Sequence, residues 1–220
     1  MEPLAEMGVS NYGDVALGVE CALPDLLLKA PRRLRFLPWL AGLLFVAGVQ
    51  QFGQGAWIHA KAQLAQILIE RAWMRTLVGE AAVEPWPWAD IWPVAKLEAP
   101  AQGVSLLVLA GASGCTIAFG LGHQHGTALP GAKGNSLIGG RRDTHLSFLQ
   151  HVKNGEVLRI QRADGTRAEY RVAHLDVLDR SDTWVARNVD GSHPTLVTCW
   201  PFIALHAGGP VRYVVIADRT

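Results

Sequence analysis

"TLVTCWPF", Thr195 to Phe202, is a β-branched run that carries one cysteine and stops at a Trp-Pro step. A run of this kind closed by proline reads as a strand ending at Cys199. A thiol at a strand's end points out of the sheet where a partner can reach it. The same sulfur is also open to two plainer readings, a buried core residue or half of a disulfide.

Working outward, the signals from Val94 onward are β. "VSLLVLA", "NSLIGG", "EVLRIQR", "AEYRVAHLDVL", "TLVTC" and "VRYVVIA" are short apolar or alternating runs separated by Gly, Pro and Asp turns such as "ADGT". Seven or eight strands with short helices predict a mainly β domain, a closed barrel or sandwich, over 93–220. One helical insertion is expected around "RRDTHLSFLQHV". Arg212, in "GGPVRYVVIAD", begins the strand after Cys199, so a hairpin-like connection sets its guanidinium beside the sulfur. A cation there favours thiolate and donates hydrogen bonds to an oxyanion.

The N-terminal third differs in kind. From Phe36 to Ile58 no residue is charged, and "RRLR" and Lys61 flank the run. Helical rise from Trp39 to Trp57 covers about 27 Å, near a bilayer's hydrocarbon thickness. The expectation is an uncleaved transmembrane anchor over 34–58 with a cytoplasmic tail over 1–33. Arg32, Arg33 and Arg35 hold the N-terminus inside, so the β domain lies outside the cytoplasm. Cys21 is then a plain cytoplasmic thiol.

Over 59–92 an amphipathic stalk continues the helix, with Leu64, Ile67, Leu68, Ala72 and Trp73 at three-and-four spacing. "EPWPWADIWP", Glu84 to Pro93, follows as an extended arm docked on the domain. The chain of 220 residues has a formal net charge of +1 and no basic cluster in its C-terminal two-thirds, which excludes a nucleic-acid partner. His123 and His125, in "GLGHQHG", lack further ligands and read as a surface loop; neither metal nor cofactor is expected.

Several of these motifs resemble the sortases, membrane-anchored cysteine transpeptidases. "TLVTCWPF" resembles their Thr-Leu-x-Thr-Cys signature, and "GGPVRYVV" their arginine-bearing segment. "GNSLIGGRRDTHLSFLQ" is similar to Gly-Asn-x-x-x-x-Gly-His-Arg-Asp-Thr-x-Phe, which carries the family's histidine. "PWPWADIWPVAKL" and "LVLAGASGCTIAFG" look like the Gram-negative, largely marine proteobacterial subgroup, class GN. The resemblance implies an eight-stranded β-barrel that cleaves a Leu-Pro-x-Thr-Gly-like sorting signal at Thr-Gly. A Cys199 thioester then passes to an amine. Arg212 is the oxyanion donor, and Leu196, Thr198 and Trp200 are substrate contacts. The implied partners are a protein with a C-terminal sorting signal, an amine acceptor and the membrane, which the resemblance makes the bacterial inner membrane with the barrel in the periplasm.

The alignment puts Arg141 where the family's histidine belongs. Arginine stays protonated and cannot shuttle a proton at neutral pH. Three accounts fit: a change that disables turnover and leaves a peptide-binding scaffold, a nearby imidazole that substitutes (His145, His123 or His125), or an error in the sequence. His145 also reads as a half-buried residue at a helix start, with Asp143 and Thr144 as turn and cap residues. A cysteine hydrolase without transfer is the remaining alternative. Cys115 as a disulfide partner is set aside where Cys199 is the nucleophile.

Overall fold

The β signals fold as eight strands: β1 (Pro93–Ala99), β2 (Val104–Ala110), β3 (Leu121–His123), β4 (Gly134–Gly139), β5 (Val157–Arg162), β6 (Arg167–Asp179), β7 (Ser192–Cys199) and β8 (Val211–Arg219). The structure, a computed structural model, describes residues 36–182, 191–203 and 209–220. The strands close into a barrel in the order β1-β2-β3-β4-β7-β8-β6-β5. β2–β3 and β4–β7 pair in parallel and the other neighbours antiparallel. The expected tail over 1–33, with Cys21, and the arginines flanking the anchor lie outside the described residues.

Alternation decides which side of each strand fills the barrel. Leu97, Val108, Ile138, Ile160, Tyr170, Leu196 and Val215 point inward and pack as one cluster. Tyr170, wholly buried, keeps its hydroxyl satisfied at 2.9 Å from Ser192 Oγ, which donates in turn to the Ala132 carbonyl at 2.7 Å. β3 is short and was missed among the sequence's β runs because glycine fills its centre. A Cβ at Gly122 would sit 2.6 Å from the Gly111 carbonyl oxygen, so only glycine lets the two backbones approach.

The chain divides into two units, up to Ala56 and from Trp57 onward. The helix α1 (Leu37–Leu77) has residues in both. In the first unit every described side chain from Phe36 to Gln54 is exposed. Among the described residues no helix is long and apolar enough to cross a membrane, so the helix lends the span expected over 34–58 no support. The physical reason is dilution: Gln50, Gln51 and Gln54 end an apolar run, Phe36–Val49, that is about 21 Å long against a hydrocarbon core of about 30 Å.

In the second unit α1 buries Ala65, Ile69, Ala72, Trp73 and Thr76. Ala72 and Trp73 are buried as expected and Leu68 is half-buried, but Leu64 and Ile67 are exposed and Ala65 and Ile69 take the inner face in their place. Ile69 packs with Ala89, Ile91 and Leu109, and Trp86 meets Phe119 edge-on at 5.4 Å. The Trp-Pro arm thus docks on the outer face of β2, with Trp88 left exposed. The helical insertion is a short 3-10 helix, Ser147–His151, whose N-cap is Leu146 without a side-chain cap, so Thr144 is not the cap residue.

Candidate active site

Because Leu196 and Thr198 point into the barrel, Val197 and Cys199 point out of it. Cys199 is the register partner of Arg212 across the antiparallel β7–β8 pair, so both side chains stand on the same outer wall. On the other side β7 runs parallel to β4, with Leu137 opposite Thr195 and Gly139 opposite Val197. Leu137, Gly139, Val197, Cys199 and Arg212 floor a cleft of about 330 Å³, walled by Ala112 and Ile117 and by Gln124 just past β3. Cys199 is half-buried and its thiol is free.

Backbone carbonyls fix the guanidinium. Arg212 Nη1 donates to Gly209 O at 2.7 Å and Val211 O at 3.0 Å, which leaves its other N–H groups for a ligand in the cleft. Thr198 Oγ1 donates to Gly140 O at 2.9 Å, and the Gly140 N–H donates to Val197 O at 3.2 Å. Gly140 is required there, since a Cβ would lie 2.8 Å from Leu146 Cγ and 2.9 Å from Leu121 Cδ2. The loop carrying Arg141 therefore leaves β4 in a direction braced by the residue just before the cysteine.

Arg141 itself turns to its neighbour. Its guanidinium makes a paired contact with Asp143, Nε to Oδ1 at 3.2 Å and Nη2 to Oδ2 at 3.1 Å, with both side chains half-exposed. The hydrogen bond from Arg141 holds the Asp143 carboxyl below the usual carboxylate range. Arg141 does not line the Cys199 cleft.

None of the candidate imidazoles lines it either. His145 opens instead into a separate cavity of about 460 Å³ on the outer face of β1 and β2. It is half-buried, hydrogen-bonded to the Ile117 backbone, and held below the ordinary histidine range by burial. His123 is not on a surface loop: it is buried in β3, its Nε2 at 2.9 Å from Ala128 O and 3.1 Å from Thr127 Oγ1. Burial lowers its pKa as well. His125 is exposed.

Two of the expected substrate contacts belong to packing. Leu196 has no exposed surface and lies in the barrel core. Trp200 stacks on Tyr213 at 5.6 Å and meets Phe202 edge-on at 5.5 Å, and it is not among the cleft's lining residues. Thr198 reaches the cleft, although its hydroxyl is committed to Gly140. Sequence reasoning missed Gln124, Leu137 and Ile117 as wall residues; only the outward alternation of "NSLIGG" pointed to Leu137. Cys115 is a free, exposed thiol, so no disulfide joins it to Cys199. Among the described residues no three His, Cys, Asp or Glu side chains gather to hold a metal ion.

A half-buried thiol next to a fixed guanidinium suits nucleophilic attack on a carbonyl with stabilisation of the oxyanion. A family model described as Sortase domain matches residues 97–220. Sortase D of Bacillus subtilis (strain 168) is 25% identical over 124 residues, which are 56% of this chain and 62% of that protein's length. The chain thus spans less than two thirds of that curated relative. Among solved structures, a Clostridium perfringens Sortase D5 transpeptidase superposes with a TM-score of 0.52 at 25% identity, over 59% of this chain and 79% of the other. Sortase C-1 from Actinomyces oris does so with a TM-score of 0.52 at 30% identity, over 60% and 76%.

Proposed function

Because this chain belongs to the sortase family of cysteine transpeptidases, we propose that Cys199 attacks the Thr-Gly carbonyl of a Leu-Pro-x-Thr-Gly-like sorting signal. The observation that carries the reading is the Cys199–Arg212 register pair at the floor of one cleft. In the first step the thiolate adds to the carbonyl carbon and the C=O electron pair moves to oxygen, where Arg212 donates to it. Collapse of that intermediate breaks the C–N bond and leaves a thioester on Sγ. The departing amine takes a proton as it goes. In the second step an acceptor amine attacks the thioester, an amide forms and the thiolate is regenerated.

The proton for the departing amine is the weak point. Arg141 stays charged at any working pH and is turned to Asp143, and among the described residues no imidazole lines the cleft. Water then serves as the acid, and acylation runs slower by the roughly 10²–10⁴-fold that a positioned acid supplies. The same observation favours a second reading, a sortase-shaped scaffold that binds sorting peptides without turning them over. A hydrolase differs from both in giving the same product with or without an added amine.

Attachment to a membrane belongs to the same proposal. The apolar run Phe36–Val49 is exposed throughout, which supports anchorage through that stretch. Flotation with lipid vesicles tests the anchorage: loss of co-flotation on Leu43→Glu with Phe45→Glu is expected, and unchanged flotation overturns it. The Gram-negative subgroup rests on the stretches Pro85–Leu97 and Leu107–Gly120.

The deciding experiment is intact-mass detection of an acyl adduct on the full chain with Leu-Pro-x-Thr-Gly-like peptides, wild type beside Cys199→Ala. A slow adduct on wild type and none on Cys199→Ala is expected. An adduct that persists in Cys199→Ala removes this residue from the mechanism, and saturable binding with no adduct on either moves the chain to the scaffold reading.

A further inference from the structure

The larger cavity, about 460 Å³, shares no lining residue with the Cys199 cleft. Its volume lies in the roughly 300–1,000 Å³ range of small-molecule sites. One wall is the part of α1 that carries Glu70 and Trp73; the opposite wall is the outer face of β1 and β2, with Lys96 and Ser105; Phe119 and His145 close the end. Lys96 faces outward because its neighbours Ala95 and Leu97 fill the barrel.

The charges set the kind of occupant. Glu70 and Lys96 line the same cavity with opposite sign, yet among the described residues neither is in an ion pair. A carboxylate and an ammonium held on facing walls, without closing on each other, are complementary to a molecule that carries both charges. Trp73 and Phe119 supply apolar surface between them, and the Ser105 hydroxyl and His145 imidazole add neutral hydrogen-bonding groups.

We propose that this cavity binds a short peptide with a free ammonium and a free carboxylate, the ammonium on Glu70, the carboxylate on Lys96 and Ser105, and an apolar side chain against Trp73 and Phe119. The site is independent of the chemistry at Cys199 and stands whether or not that thiol is acylated.

The test uses the full chain in detergent micelles with carbon-13-labelled histidine, so that His145 reports from inside the cavity. The probe is the dipeptide leucyl-phenylalanine, beside the same dipeptide acetylated and amidated so that both charges are gone. A saturable shift of the His145 ring resonance with the free dipeptide is expected, weakened about tenfold or more by capping, as charged hydrogen bonds imply. Glu70→Gln and Lys96→Met each weaken it about tenfold, and Cys199→Ala leaves it unchanged. No saturation by roughly 10 mM overturns the proposal. Equal binding of free and capped dipeptides overturns it too, and that arm does not depend on any variant folding.

Discussion

The two sides of the Cys199 cleft are held in different ways. On one side the nucleophile and the arginine stand on neighbouring strands, the β7–β8 register fixes the separation of their backbones, and two carbonyls hold the guanidinium. On the other side the loop just past β4 begins and carries Arg141 outside the cleft lining; there the Thr198–Gly140 and Gly140–Val197 hydrogen bonds constrain the backbone and Asp143 sets the direction of the Arg141 side chain. A change on the strand side alters chemistry and leaves geometry alone. On the loop side one substitution alters both.

The largest effect is expected where the loop side is repaired. Arg141→His supplies a group that can give up and regain a proton, and single-turnover acylation should rise by roughly 10²–10⁴-fold. An unchanged rate would mean that the loop does not limit the reaction and that the contrast between the two sides is not a catalytic one. Next comes the strand side: in the Arg141→His background, Arg212→Ala should slow acylation by roughly 10²–10³-fold with the fold intact, measured as thioester formation beside thermal unfolding.

Thr198 joins the two sides. Thr198→Val strands the Gly140 carbonyl and should cost about 1–3 kcal/mol in denaturant unfolding. It should also reduce the rate gained by Arg141→His, which Thr198→Ser keeps. A Thr198→Val protein that loses stability yet keeps the full gain would show the brace to be structural only.

The smallest effect sharpens the loop side alone. The Arg141 hydrogen bond depresses the Asp143 carboxyl, so its stabilisation is present above the ordinary unfolded aspartate value and is lost as pH falls through the depressed folded one. Both partners are half-exposed and solvent screens the pair, so the change in stability is slight. A carbon-13 titration of the Asp143 carboxyl should show its midpoint moving up toward the ordinary range in Arg141→His. No movement would break the pairing described for Arg141.

Strand positions were legible in the sequence to the extent that alternation exposed them. "VSLLVLA" is β2, and Cys199 ends β7 opposite Arg212, because period two and a proline stop are local properties of the chain. The same alternation, followed through, puts Leu196 in the core. It was read as a substrate contact because a motif marks a neighbourhood and not a face. The stripe of α1 was read rightly at Ala72 and Trp73 and one residue out at Leu64, since Leu64 and Ala65 differ in hydrophobicity in the direction opposite to their burial. His145 is four residues from Arg141 in sequence but lines another cavity, a separation decided by how α2 (Thr116–Phe119) and the loop after β4 pack. No local pattern encodes that. The apolar run before Gln50 suggested a span because its flanking tryptophans are well spaced, while the glutamines between them shorten it.

One consequence of the ring of strands concerns how a peptide can be recognised at all. Many sheets capture an extended chain by letting it pair along an exposed border, so that main-chain amides provide affinity without regard to sequence. Here β1 pairs with β5 and closes the ring, so the borders that remain are the stretches where one strand outruns its neighbour, 104–107 of β2 and 173–179 of β6. At the Cys199 cleft, where β7 is paired with both β4 and β8, an incoming peptide finds a wall of side chains and not a ladder to extend. Its recognition must rest on which residues it presents, and sequence selectivity is in that sense a by-product of closure.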